Sequence, residues 1–184
     1  MNKHFLMLAL AFAIAGQKLQ AAEAPAAPVG PEELHIAIIE CNHETVARLL
    51  REGTPAHCIM HCACGEADCV PTTALHIAAL HGNLQTMRLL CNATSLLAQD
   101  KDGDTPLHAA ILLNRFDGAK LFIEFHHNNG ISLEVRNKRG QTPLLIAATK
   151  GITSLGQQLV DAGTNLTATD REGDDALATA VYYN

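Results

Sequence analysis

The chain has 184 residues, 48% of them apolar, no tryptophan, and a net charge of −6 with neutral histidines. That length fits one domain, and 4% aromatics suits small helices packed through Ala and Leu rather than a core built on large rings. The acidic balance argues against nucleic acid and anionic membranes as general partners.

The chain opens Met1-Asn2-Lys3-His4, runs apolar from Phe5 to Ala15, turns polar at Gln17-Lys18 and reaches the small pair Ala21-Ala22. A basic start, an apolar stretch of about a dozen residues and a small-residue cleavage point read as a signal peptide over residues 1–21, cut after Ala21 or Ala22. An amphipathic first helix is the alternative, but the run has no polar face. It is too short to span a bilayer, which takes about 20 residues, and no cysteine follows the cut, so no stable membrane anchor is expected. Removing residues 1–21 takes Lys3 and Lys18 and no acid, moving the net charge from −6 to −8. Residues 22–31 hold three prolines and four alanines and read as a flexible tether.

From residue 32 onward one helix-opening motif recurs. Its clearest copy is Thr105-Pro106-Leu107-His108-Ala109-Ala110, matched by Thr73-Ala74-Leu75-His76-Ile77-Ala78 and Thr142-Pro143-Leu144-Leu145-Ile146-Ala147. Glu32-Glu33-Leu34-His35-Ile36-Ala37 opens the series and Asp175-Ala176-Leu177-Ala178-Thr179-Ala180 closes it, with the shared leucines spaced by 41, 32, 37 and 33 residues. Threonine suits the cap, accepting from backbone N–H groups that lack helical partners, and proline is tolerated at the first helical position. In each unit apolar residues fall at helical spacing: Leu75, Ala78 and Ala79, then Met87, Leu89 and Leu90 across the Gly82-Asn83 break. Leu107, Ala110 and Ile111, then Leu121, Phe122 and Phe125 mark the next, and Leu144, Ala147 and Ala148, then Leu155, Leu159 and Val160 the fourth.

A period near 33 carrying this signature resembles the ankyrin repeat. The resemblance covers roughly residues 31–184 and implies an all-α ankyrin solenoid of stacked helix-turn-helix units with turn fingers. Its repeats would fall at about 32–53, 73–103, 105–140 and 142–173, with a half repeat at 174–184 and a Cys-rich insertion at 54–71. Each helix pair is too small to bury its apolar side alone, so stability comes from stacking neighbours. His35, His76 and His108 then share a position where the family's histidine bonds neighbouring turn backbone; Leu145 stands there in the fourth unit.

The resemblance also implies a concave binding face. The residues five and six after each shared leucine point into it: Ile39 and Glu40, Leu80 and His81, Leu112 and Leu113, Thr149 and Lys150, Tyr182 and Tyr183. The middle of that row is apolar enough to mark an interaction site, unless Leu112 and Leu113 tuck under the longer neighbouring turns. The turn tips add Lys101, Asp102 and Asp104, then Lys138, Arg139 and Gln141. Arg136-Asn137-Lys138-Arg139 is a local basic tip that reads either as a solvated loop or as a partner contact.

The insertion between the first two units runs His57-Cys58-Ile59-Met60-His61-Cys62-Ala63-Cys64-Gly65-Glu66-Ala67-Asp68-Cys69. In an exported protein such density reads first as disulfides, with Cys58, Cys62, Cys64, Cys69 and Cys91 as candidates and their pairing open. Cys41 falls in a turn at the other edge and is expected to be unpaired. The alternative is zinc or copper held by His57, Cys58, His61, Cys62, Cys64 and Cys69, or a redox-active thiol group. The intervals of three, one and four residues between these cysteines fit no common zinc knuckle. His126-His127 reads as a polar extension of a helix into a longer turn, with a metal site as the alternative. Asn92-Ala93-Thr94 and Asn165-Leu166-Thr167 match glycosylation acceptors.

No Ser-His-Asp constellation, phosphate loop or paired-carboxylate arrangement rises above background. The expected function is therefore a non-catalytic, monomeric, cofactor-free module that binds a partner protein outside the cytoplasm, inhibiting or protecting an exported enzyme. The resemblance is to small exported bacterial ankyrin proteins and implies the periplasm, with secretion as the alternative. A metal-binding or thiol-redox protein using the Cys58–Cys69 stretch is the other function class.

Overall fold

The computed structural model describes residues 31–54, 59–60 and 72–183. The expected signal peptide, most of the expected tether, and His57, Cys58, His61, Cys62, Cys64 and Cys69 lie outside the described residues. In chain order, helices α1 (Pro31–Ile39) and α2 (His43–Arg51) form the first pair. Two short strands follow, β1 (Ile59–Met60), within the insertion, and β2 (Thr72–Thr73), just after it, antiparallel with Ile59 opposite Thr73. Then come α3 (Ala74–His81), α4 (Leu84–Leu90) and a single turn, α5 (Ala93–Leu96). The third pair is α6 (Pro106–Leu112) and α7 (Phe116–Asn128), the fourth α8 (Pro143–Thr149) and α9 (Thr153–Asp161), and α10 (Ala176–Tyr183) closes the series. The solenoid is thus the expected one, with a two-residue ladder added that pairs Ile59–Met60 of the insertion with Thr72–Thr73.

The helices that open on the repeated motif stack in the order α1, α3, α6, α8, α10, and the second helices stack behind them as α2, α4, α7, α9. Between the two rows runs one apolar core, from Leu34 in the first unit to Leu159 in the fourth. Leu89 departs from its expected place: it sits on the outer side of the seven-residue α4 and is exposed, while Met87 and Leu90 reach the core. His126 departs in the other direction. Its helix runs on to Asn128 as expected, but the imidazole is buried, with Nδ1 2.8 Å from the Phe122 carbonyl.

The caps follow the sequence closely. Thr73, Thr105 and Thr142 each take the backbone N–H three residues on, and Pro106 and Pro143 occupy first-turn positions without a partnered N–H. Asn42 and Asn83 cap α2 and α4 in the same way. The repeat histidines then tie one unit to the next. His76 Nε2 lies 2.9 Å from the Asp104 carbonyl, and His108 Nε2 lies 3.2 Å from the Gln141 carbonyl. Thr105 N–H donates to His108 Nδ1 at 3.1 Å, so that nitrogen is unprotonated and the proton sits on Nε2, facing the carbonyl. Burial lowers the pKa of His76, and that of His108 to about 4. These are neutral structural ties, as expected; Leu145, buried at the same position, supplies packing in place of the polar link.

The turn between the two helices of each pair needs one left-handed residue. Cys41 (φ 56°), Gly82 (φ 71°), Asn114 (φ 56°) and Gly151 (φ 65°) fill it. Glycine takes this conformation without steric cost and asparagine tolerates it; Cys41 is the odd member, an exposed free thiol at this edge.

Candidate protein-binding face

The residues expected to point into the groove lie at the C-terminal ends of the stacked motif helices. Ile39, Leu80, Leu112 and Leu113 are all exposed, at 44%, 46%, 36% and 43%. Leu112 and Leu113 therefore do not tuck under neighbouring turns. Leu113 is the C-cap of α6, and its N–H is used by the Ala109 carbonyl, which fixes the backbone while the side chain faces outward. Glu40, His81 and Lys150 flank the strip and are exposed; Thr149 is half-buried, its hydroxyl donating to the Leu145 carbonyl at 2.8 Å. His81 lies near enough to His35 to lower its pKa, after the larger effect of burial. Arg115 closes the row between units by donating from Nε to the Leu80 carbonyl at 3.1 Å.

Two exposed apolar residues at the same edge were not expected, Leu84 and Phe116, each the first residue of a second helix. Their helical periodicity is that of core residues, and only the turn geometry turns them outward. Tyr182 and Tyr183 extend the row at its far end, with ring centroids 5.0 Å apart in an edge-to-face arrangement.

The fingers are built from one repeated turn. Asp100 Oδ1 accepts from the N–H groups of Asp102 and Asp104, Asn137 Oδ1 from Arg139 and Gln141, and Asp170 Oδ1 from Glu172 and Asp174. Adjacent tips are joined through Lys138 N–H to the Asp102 carbonyl at 2.9 Å and Arg171 N–H to the Arg139 carbonyl at 3.4 Å. Gly103 permits that approach: it has φ 76°, and a Cβ there would stand 2.8 Å from Lys138 N.

The expected tip residues separate under this geometry. Lys101, Asp102, Lys138 and Arg139 are exposed and Gln141 is half-buried. Asp104 is not part of the surface. It is buried, its carboxylate accepting from Asn137 Nδ2 at 2.8 Å, and burial raises its pKa. Arg136 is exposed, but its guanidinium is occupied, donating to the carbonyls of Gly140 and Thr169. The basic tip therefore presents Lys138 and Arg139.

Cys91, one of the disulfide candidates, is a free, half-buried thiol packed against the core, and burial pushes its pKa up to about 12. It caps α4, its N–H donating to the Met87 carbonyl. Among the described residues no group of three or more His, Cys, Asp or Glu is placed to hold a metal, and no helix is long and apolar enough to cross a membrane.

A family model described as ankyrin repeats in three copies matches residues 34–134, more than half of the chain. The chain belongs to the ankyrin repeat family. Its ankyrin array continues past the matched residues, since α8, α9 and α10 repeat the same stacking. Among similar proteins, Neurogenic locus notch homolog protein 1 of Xenopus laevis is 32% identical over 120 residues, covering 65% of this chain and 5% of the Notch protein. The human Notch protein of the same name is 31% identical over 120 residues, again 5% of its length. Human B-cell lymphoma 3 protein is 35% identical over 77 residues, covering 42% of this chain and 17% of that protein. The chain thus corresponds to a small part of each of these relatives.

Proposed function

We propose that this ankyrin array is a non-catalytic module that holds a partner protein against the strip formed by Ile39, Leu80, Leu112 and Leu113, with Lys138 and Arg139 at its polar rim. Ankyrin repeats mediate protein–protein interaction, and the observation that carries the reading for this chain is the strip itself. Four large aliphatic side chains at equivalent helix ends are each more than a third exposed on a backbone locked by caps and inter-repeat bonds. Apolar surface of that kind on a rigid support is what a binding site needs, because little ordering entropy is lost on association.

The test is Leu112→Asp. A carboxylate buried in an apolar contact costs well over the ~1.4 kcal/mol that corresponds to tenfold in affinity. Crosslinked affinity purification with the native chain should recover a partner that the variant retains at least tenfold more weakly, with helical circular dichroism unchanged. Equal recovery by the variant would remove the strip from the function.

The proposed site of action is outside the cytoplasm, in the periplasm or secreted, where the partner would be an exported enzyme that the array inhibits or protects. Lys3, the apolar run Phe5–Ala15 and the small pair Ala21-Ala22 support export. Protein isolated from an extracytoplasmic fraction should begin at Ala22 or Glu23 by N-terminal sequencing; an intact Met1 terminus in the cytosol would contradict it.

A further inference from the structure

The groove strip changes chemistry along the stack. Six residues after each shared leucine the exposed side chains run Glu40, His81, Leu113 and Lys150, from carboxylate to ammonium. One position earlier they run Ile39, Leu80 and Leu112, and then Thr149, whose hydroxyl is engaged by the Leu145 carbonyl. The aliphatic run therefore stops at the third unit, and a cation stands where it would continue. Arg115, in the turn of that unit, is exposed and anchored at the strip's edge by its bond from Nε to the Leu80 carbonyl. The finger between the third and fourth units adds the exposed Lys138 and Arg139.

Four cations thus gather around the third and fourth units of a chain whose net charge is −6. Their charge is not neutralised within the protein. Among the described residues the ion pairs are those of Arg48 with Glu33 and Glu52, so none of the four is paired with a carboxylate. Asp117, the acid nearest Arg115 in sequence, lies in the first turn of α7, where the positive end of the helix favours it. Asp104, near Arg139, is buried and already accepts from Asn137. By contrast, Lys101 has Asp102 and Arg171 has Glu172 as the next residue on their own fingers.

We infer that the strip takes an aliphatic segment of the partner protein that is acidic at one end. Its apolar side chains lie on Ile39, Leu80 and Leu112, and its carboxylates face Lys150, Arg115 and the tip formed by Lys138 and Arg139. The inference rests on the strip being the binding site and adds the charge and direction of what lies there. Glu40 fixes the direction, because it repels an acidic end placed at the first unit. The acidity of the whole chain does not prevent the contact. At physiological salt, repulsion between exposed charges is largely screened beyond about 8 Å, so the cations next to the segment decide. Charges at the rim of an apolar contact select the partner and its register more than they add affinity. A polyanion without apolar side chains would leave the aliphatic run uncovered, and a basic segment would meet the four cations.

Fluorescence anisotropy of labelled synthetic peptides with the full chain tests this. The probe has leucines at helical spacing and a glutamate-rich C-terminal end. Its counterparts carry lysines in place of the glutamates, or serines in place of the leucines. The probe should bind about tenfold more tightly than either, and its lead over the lysine peptide should shrink as salt rises. Lys138→Glu combined with Lys150→Glu should weaken the probe about tenfold and favour the lysine peptide, with helicity retained. Arg88→Glu combined with Lys120→Glu makes the same change in net charge at exposed positions of α4 and α7, in the second row of helices, and should leave the probe's affinity as it was. Equal binding of the glutamate and lysine peptides, both lost in Leu112→Asp, would overturn the charge assignment and leave the strip as the site. Equal weakening by the two double variants would overturn it as well, since net charge would then be the cause. So would failure of every peptide to bind, or self-association of the native chain through Leu112. In either of those cases the strip itself is judged by partner recovery with Leu112→Asp.

Discussion

Truncating Phe122 to alanine is expected to cost about 3–5 kcal/mol of folding stability, the range for removing a fully buried aromatic side chain. Phe122 is 0% exposed on α7, and α7 packs against α6 within its own unit, α4 before it and α9 after it. The cavity would therefore lie where three elements meet. Because each unit contacts only its neighbours, weakening the middle of the stack also uncouples its two ends. Against a total of roughly 5–15 kcal/mol for a typical domain, the loss should lower the urea midpoint sharply and broaden the transition as the ends melt separately. A shift below about 1 kcal/mol would show that the core does not run through this helix.

The second large effect is acid destabilisation. Burial lowers the pKa values of His76, His108 and His126, that of His108 from 6.5 to about 4. Above the unfolded value of 6.5 neither state is protonated and the full stability is present. As pH falls below it, the unfolded chain takes up protons that the folded array refuses, so stability is lost until the folded pKa is reached. For His108 the geometry enforces this: Thr105 N–H already points at Nδ1, the nitrogen that would have to accept the proton. Nearby charges act in both senses, Asp100 favouring and His76 opposing the charged form. The loss from His108 alone is on the order of 3 kcal/mol between pH 7 and pH 4. Asp104 works the other way, since its raised pKa makes the folded state the better proton acceptor, and it trims the loss at the acid end of that window.

His108→Leu, the residue type already present at Leu145, separates the contributions. At pH 7 the variant leaves the Gln141 carbonyl and Thr105 N–H without their partner and should be less stable by about 1–3 kcal/mol. Towards pH 4.5 the deficit should shrink, because leucine has no proton to refuse. Denaturant titrations across this range that give parallel curves for the two proteins would show that His108 does not carry the acid sensitivity.

Much of the array was legible because its signals are local. The threonine caps, the prolines at the first turn and the left-handed turn residues each depend on a few neighbouring atoms, so Thr105-Pro106-Leu107-His108 and the Gly82-Asn83 break identify their structures directly. The role of His76 and His108 followed from the family resemblance and is seen in their bonds to the next finger. The misplaced residues depend on distant ones. Asp104 reads as an exposed tip until Asn137, 33 residues away, closes over it. Cys91 reads as a disulfide candidate, and its thiol packs half-buried against the core; Leu89 has the spacing of a core residue yet faces outward.

The sequence by itself determined the repeat, its period and its caps, because spacing and backbone hydrogen bonding operate within a turn or two of helix; the row of residues at the groove was what the family resemblance implied. Only the tertiary structure decided what each copy of the motif does. Leu107 and Leu177 occupy the same place in the same motif, one 1% exposed and the other 73%. Burial is a property of the neighbour as well as of the residue, and the neighbour lies one repeat away.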